Sequence, residues 1–355
     1  MTRPARRRSA GRATGAPTIA DVARRSGYSP MTVSRVLNGN ARVRDKARQA
    51  VMRAVAALGY TPNLAARALA GVGQVKLCLL YANPSAAYLS ELLVGALDQA
   101  HDSHAQLLVE PCADGQSPGT LIAALADAGI DGMLLPPPLC DSRALHRAVL
   151  RAGLPVVTIA SGQPLPGVAV VRIDDRAAAL TMTRHLLTLG HRRIGFITGS
   201  PDQTASAERL EGYRDALRSA GIAVDRRLVR QGQFTYRSGM KAAEALLGAN
   251  PVPTAIFASN DDMAAAAIAT AQRRGLSVPR DLTVCGFDDT PLAMSTWPEL
   301  TTIRQPIAAM ARASVELLLA QISAKREGRD TPTASRLLPF RFVQRGSDAP
   351  PTAGT

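Results

Sequence analysis

The chain has 355 residues, 46% of them hydrophobic and 20% charged, an ordinary globular composition with room for two or three folding units. No run approaches 18 consecutive apolar residues, and the longest, such as Val75 to Ala82, are strand-sized, so no membrane span is expected. Of the net charge of +14, residues 1–73 carry +12 (fourteen Lys/Arg against two acids) and the other 282 residues carry +2, which implies a polyanion-binding head on a near-neutral body.

Residues 1–16 are rich in Arg, Ala and Gly without apolar periodicity and read as a disordered basic tail. No apolar segment follows the early arginines as it would in a secretion signal, so a cytoplasmic protein is expected. The four cysteines (Cys78, Cys112, Cys140, Cys285) stand singly in apolar contexts and read as buried free thiols, not as a disulfide framework or zinc site.

The segment TIADVARRSGYSPMTVSRVLNGN (18–40) has the grammar of two short helices. Thr18 is a good N-cap, Asp21 completes a capping-box-like pattern, and Ile19, Val22 and Ala23 make an apolar face. Gly27 suits a left-handed stop, Ser29 a second cap, and Pro30 the first turn of the next helix, where a missing N–H costs nothing. Val33, Val36 and Leu37 face inward, and Asn38-Gly39 ends the helix. This is a helix-turn-helix pattern, although a plain helical hairpin satisfies the same spacing. Of the outward residues Pro30, Met31, Thr32, Ser34 and Arg35, the arginine can fork onto guanine and the hydroxyls suit phosphate oxygens. A third helix is expected from about Asp45 to Leu58, then Tyr60-Thr61-Pro62-Asn63 and an amphipathic piece, Leu64 to Ala70, too short to hold alone.

These residues, with TPNLAARALAG (61–71), resemble the head and hinge helix of the lactose-repressor (LacI) family of bacterial transcription regulators. The resemblance implies base reading by Pro30, Met31 and Arg35, hinge contacts by Asn63, Ala66 and Arg67, and Leu69 as a wedge in the minor groove. Thr18, Ser29, Thr32, Ser34, Asn38 and Tyr60 complete the DNA-binding set. Arg44 stands where the family usually has a Ser-type cap for the third helix, and Asp45 is the candidate substitute.

From Gln74 onward short apolar runs (75–81, 106–109, 132–135, 156–159, 169–173, 193–198, 255–258, 283–287) alternate with amphipathic helical patterns, which predicts parallel sheets covered on both faces. The expected fold is α/β: an all-α head plus a two-lobed core, with a ligand cleft beyond the strands' carboxyl ends. The expected divisions are a tail (1–16), head (17–60), hinge (61–73), interleaved lobes (74–345, crossing near 160–175, 288–305 and 328–335) and a flexible end (346–355). No dinucleotide or P-loop signature is present, and His101, His104, His146, His185 and His191 read as surface residues without a nucleophile partner. Asp261-Asp262 and Asp288-Asp289 follow strands, where they could be acid/base pairs, helix caps or binding groups.

The body resembles the family's sensor core, similar to periplasmic sugar-binding proteins, on GSPDQTASAERLEGY, FASNDDMAAAAI and GFDDTPLAMSTWPELTTIRQP. The resemblance implies that Arg209 and Asp261 hold an effector, with Tyr88, Leu89, Phe234 and Asp288 around it and Asp174 a weaker candidate. Gln203 stands where purine-responsive relatives carry arginine, which disfavours a purine and leaves a sugar or sugar derivative. Trp297 could stack on it or fill a core or lobe interface. The expectation is a homodimeric repressor of a palindromic operator, with no cofactor or metal, released by its effector; no tetramer-forming leucine heptad follows Val343. The rivals are a solute-binding protein, an α/β enzyme using Asp261 and Asp288, and a non-specific DNA binder.

Overall fold

A computed structural model describes residues 17–37, 43–58, 74–113, 115–330 and 333–352. The chain forms two compact units, residues 1–74 and 75–355.

In the first unit, α1 (Ile19–Ser26), α2 (Pro30–Leu37) and α3 (Asp45–Leu58) surround Val22, Ala23, Val33, Val36, Val51 and Ala54. Thr18 caps α1 through a full capping box with Asp21, and Gly27 ends it at φ 75°, a left-handed conformation costly for a side chain. Before α3, the Arg44 carbonyl accepts the N–H groups of Ala47 and Arg48, and Asp45 places an acid in the first turn. The expected tail and hinge, and with them Asn38, Tyr60, Asn63, Ala66, Arg67 and Leu69, lie outside the described residues.

The second unit holds two parallel sheets. The first, in the order β11-β5-β4-β3-β1-β2, uses β1 (Lys76–Tyr81), β2 (Gln106–Pro111), β3 (Gly132–Leu135), β4 (Val156–Ile159), β5 (Ala169–Arg172) and β11 (Ser335–Leu337). Strand alternation divides its core: Leu77 and Leu79 share a cluster with α4 (Ala86–Asp102) and α12 (Ile307–Arg326), whereas Cys78 and Leu80 join α5 (Pro118–Asp127) and α6 (Arg143–Arg151). Both faces are covered, which is why the strands read as continuous apolar runs. Helix α12 is long and apolar enough to cross a membrane, but it packs on β3, β4, β5 and α4 as a core helix.

The second sheet runs β7-β6-β8-β9, from β6 (Ile194–Thr198), β7 (Val229–Gln231), β8 (Ala255–Ala258) and β9 (Thr283–Cys285). Phe196 and Phe257 pack toward α7 (Asp175–Thr188) and α8 (Thr204–Ser219); Ile197, Ile256 and Val284 join α9 (Tyr236–Leu247) and α10 (Asp261–Arg273). The short α11 (Pro291–Ser295) precedes an antiparallel pair, β10 (Thr302–Arg304) and β12 (Arg341–Val343).

Three passages join the lobes: between β5 and α7, between β10 and α12, and between β11 and β12. The third falls at 338–340, beyond the 328–335 read from sequence, because β11 is a fully exposed three-residue edge strand without an apolar signature. The expected flexible end is also corrected, since residues 346–352 dock on the second lobe. Buried Ser347 accepts from the Thr301 N–H and donates to the Val284 carbonyl, and Asp348 accepts from His185 at 2.7 Å. His191 reaches both Thr254 Oγ1 and the Ala349 carbonyl, 2.9 Å each. His191 and His146 are therefore core groups, not the surface residues expected.

Candidate functional site

The outward face of α2 carries exposed Pro30, Met31 and Arg35 beside half-buried Thr32 and Ser34, while Val33 and Val36 anchor it inward. Met31 is 65% exposed, a thioether on a basic surface with no core of its own to fill. Three of the expected DNA-contacting hydroxyls have local work. Thr18 donates to Asp21 (2.7 Å), and Ser29 caps α2 by accepting the Thr32 N–H (3.2 Å), its hydroxyl 3.0 Å from that of Thr32. The Thr18 bonds hold the Asp21 carboxyl below its ordinary pKa, so it stays ionised at the helix start.

In the core, loops leaving the carboxyl ends of strands from both sheets converge on a cleft, the expected location in open α/β sheets. The first sheet sends Asn83 and Ser85 after β1, Pro137 after β3 and Ala160 after β4. The second sends Gln203 and Arg209 after β6, Phe234 after β7, Asn260 after β8 and Asp288 after β9. Tyr88, one turn into α4, completes it. The void is about 30 Å³, room for ordered water and too small for a sugar ring unless the lobes part.

Backbone strain concentrates here. Ala160 (φ 58°), Phe234 (φ 57°) and Asp288 (φ 110°) line the cleft in conformations that L-residues rarely adopt, which is common where a loop is bent to present a functional group. Gly199 makes room for one of them: a Cβ there would sit 1.9 Å from the Phe234 ring.

Arg209 is the organising charge. Its Nε donates to Asp175 (2.8 Å), its Nη1 to the Ser259 carbonyl (2.5 Å), and its guanidinium lies 3.7 Å from the Phe287 ring centroid. Asp288 lies 3.8 Å from Nη1 and accepts from Gln305 Nε2 at 2.6 Å. Burial pushes the Asp288 carboxyl up to about 7 against the pull of Arg209 and Gln305, and it raises Asp175 as well. Among the described residues the Tyr88 hydroxyl, which lines the cleft, and Asp175 Oδ2, Ser206 Oγ, Ser259 Oγ and Gln305 Oε1, outside that lining, are buried without a hydrogen-bond partner.

Tyr88, Gln203, Arg209, Phe234 and Asp288 are thus brought together as expected from sequence, and three expected residues are not. Asp261 is fully buried and turned inward: it accepts the N–H and hydroxyl of Thr290 and the Thr302 hydroxyl (2.7 Å), so it braces the second lobe and makes no acid/base pair facing a ligand. Burial and the neighbouring Asp288 raise its pKa well above the usual carboxylate value. Asp174 is exposed and caps α7; its neighbour Asp175 is the buried partner of Arg209. Leu89 packs on the hydrophobic core. Trp297, 85% exposed, lies outside the cleft.

Sequence reasoning missed the groups that pin the lobes. Ser85 donates to Asp262 (2.6 Å) on one side. On the other, Asp141 accepts from Ser161 (2.6 Å) and from the N–H and hydroxyl of Thr204 (2.8 Å each), and Thr204 in turn accepts the Gly162 N–H. A Cβ on Gly162 would meet the Thr204 backbone at 2.8 Å, so the close approach demands glycine. Ser85 was legible as a helix cap; its second bond, 177 residues away, was not.

Comparison with known proteins agrees with this geometry. Residues 18–63 match the model for bacterial regulatory proteins of the lacI family, and residues 183–347 match a periplasmic binding protein-like domain. The HTH-type transcriptional regulator DegA of Bacillus subtilis (strain 168) is 37% identical over 298 residues, 82% of this chain and 88% of that protein. The transcriptional regulator CelR, solved as a cellobiose complex, superposes with a TM-score of 0.72 at 32% identity over 93% of this chain and 99% of that one. The lac repressor dimer bound to operator and the anti-inducer ONPF gives 0.70 at 26% identity over 94% and 100%. A helix-turn-helix with an exposed reading face and an α/β core closing on a polar cleft thus occur in one chain, which belongs to the lacI family of bacterial regulatory proteins and is a DNA-binding transcriptional regulator, not an enzyme.

Proposed function

We propose that the protein is a repressor that binds a palindromic operator as a homodimer and is released when a sugar or sugar derivative occupies the cleft. The observation that carries this reading is the polar lining of the cleft where the lobes meet, Gln203, Arg209, Asn260, Asp288 and the buried Tyr88 hydroxyl without a partner among the described residues, with Phe234 offering the apolar face that a sugar ring stacks on. CelR, a relative captured with cellobiose, supports the sugar class.

Arg35 and Met31 would read base edges through the major groove, and Leu69 would wedge the minor groove from the hinge. The protein would act in the cytoplasm, on the nucleoid. The homodimer draws support from exposed apolar groups in both lobes, Val94 and Leu97 on α4 and Met294 and Trp297 around α11, since two-fold pairing would cover such groups. Parting of the lobes to admit effector would strain the Ser85–Asp262 and Asp141–Thr204 bonds, and the affinity difference between the two lobe arrangements would set the size of the response.

The test is selection of purified protein on random-sequence duplexes at about 150 mM salt, where phosphate-only binding is weak. An enriched palindrome supports a dimeric operator binder. Enrichment of a single half-site removes the dimer, and no enrichment in the presence or absence of cell metabolites removes sequence specificity.

A further inference from the structure

The first lobe carries surface charge that its own fold does not use. Helix α6 places Arg143, Arg147 and Arg151 four residues apart, so three exposed guanidinium groups follow one another along one side of it. Among the described residues none of the three has an ion-pair partner, whereas arginines on other helices of the body are paired across elements, Arg176 with Asp215 and Arg312 with Asp98 at 2.6 Å each. Like charges at that spacing weaken a helix, and Arg143 in the first turn is opposed by the helix dipole as well. Leu150 on the same helix is 56% exposed and covers no core.

Beside this row, α5 and α6 enclose an open groove of about 410 Å³. Ile122 and Ala123 line one wall, Ala144 and Ala148 the other, and Arg147 and Arg151 are its charged lining groups, with no carboxylate among the described residues that line it. Charge decides the occupant. The chain's own first 16 residues hold arginines and no acid, and a second copy pairing through the same face would set these arginines opposite one another. A small anion would be held only by exposed, flexible side chains. A run of DNA phosphates would meet the arginines and leave the apolar walls unfilled. A helix with apolar side chains flanked by carboxylates satisfies both.

We propose that this groove docks an acidic amphipathic helix of a partner protein, whose apolar side chains fill the space between α5 and α6 and whose carboxylates pair with Arg147 and Arg151, with Arg143 extending the row. The groove shares no lining residue with the cleft between the lobes, so the inference does not depend on the effector.

The test is hydrogen exchange of the full chain at about 150 mM salt, with a synthetic peptide of about 20 residues that presents leucines on one helical face and glutamates beside them. Slowed exchange is expected in residues 117–128 and 142–152, whether or not the basic head is also protected. With Arg147→Glu and Arg151→Glu combined, the peptide concentration for half protection of 142–152 should rise at least about tenfold. The doubly reversed protein should instead accept the same peptide with lysine in place of glutamate, a gain that misfolding cannot produce. Replacing the leucines by serine should weaken protection by a similar factor, because the walls contribute apolar contact. Protection confined to residues 18–58 would show only that the basic head captures an acidic chain, and equal protection by the serine peptide would reduce the groove to a solvated charged face; either overturns the proposal. Protection of 142–152 by duplex DNA and not by the peptide overturns it in favour of a DNA contact, and protection by neither overturns it outright.

Discussion

The head and the cleft use charge in opposite ways. Among the described residues of the head, Arg24, Arg25, Arg35, Arg44 and Arg53 are exposed around a small apolar core of Val22, Val33, Val36 and Val51, so charge and packing are separate and each can be read from its own positions. In the cleft, charged groups are part of the packing: Arg209 and Asp175 are both almost fully buried, and the guanidinium opposes the burial that raises the Asp175 carboxyl. An exposed charge on the head can change with little effect on folding, whereas one in the cleft cannot. The proposed partners match this difference, since a DNA backbone is met in water over a wide surface and the proposed effector would be met inside.

The sharpest way to break the comparison is Arg209→Ala. It leaves Asp175 buried without its cation and should cost about 3–5 kcal/mol in denaturant unfolding of the core. A variant with unchanged stability would show that the pair is as independent of packing as the head's arginines. Next in size, Arg35→Ala should leave folding intact and lose about 1–3 kcal/mol at one base position of the operator. Uniform weakening on all sequences would make it a phosphate contact and reduce the head to simple electrostatics.

Thr204→Val removes the hydroxyl that bridges Asp141 and Gly162, a charge-assisted bond worth about 1.5–3 kcal/mol. The effector dose–response should shift by tenfold or more at unchanged operator affinity in its absence; a shift in operator affinity alone would place the latch outside the response. Smallest is Thr18→Ala, which loses the α1 cap for about 1 kcal/mol and should lower the melting of the head while the core transition stays in place.

The pH dependences should also run in opposite directions. Asp288 has a folded pKa above its unfolded one, so its contribution is fully present below about 4 and is lost as pH rises through about 7. Asp21 is held below its ordinary value, so its contribution is present above that value and is lost on acidification. Core melting that rises with pH between 5 and 8 in wild type but not in Asp288→Asn would reverse the sign assigned here.

What could be read locally was read correctly where one residue and its chain neighbours decide the structure. Thr18, Asp21, Gly27 and Pro30 set helix ends by caps and backbone preference, and the apolar runs of β1, β3, β4, β6 and β8 mark strands covered on both faces. The three-residue strands β7, β10, β11 and β12 gave no such pattern, because edges and crossovers are not doubly buried.

The sequence by itself thus determined a basic helix-turn-helix, an α/β body, and most of a cleft through Tyr88, Gln203, Arg209, Phe234 and Asp288. Only the tertiary structure decided which aspartate of each adjacent pair does what. Asp174 caps while Asp175 pairs with Arg209, and Asp261 braces while Asp262 latches to Ser85. Adjacent residues at a strand end point in different directions, and their burial and partners come from segments tens to hundreds of residues away, so composition and spacing cannot distinguish them. The docking of Ser347 and Asp348 on the second lobe was set in the same way, by hydroxyls and histidines that meet only after folding.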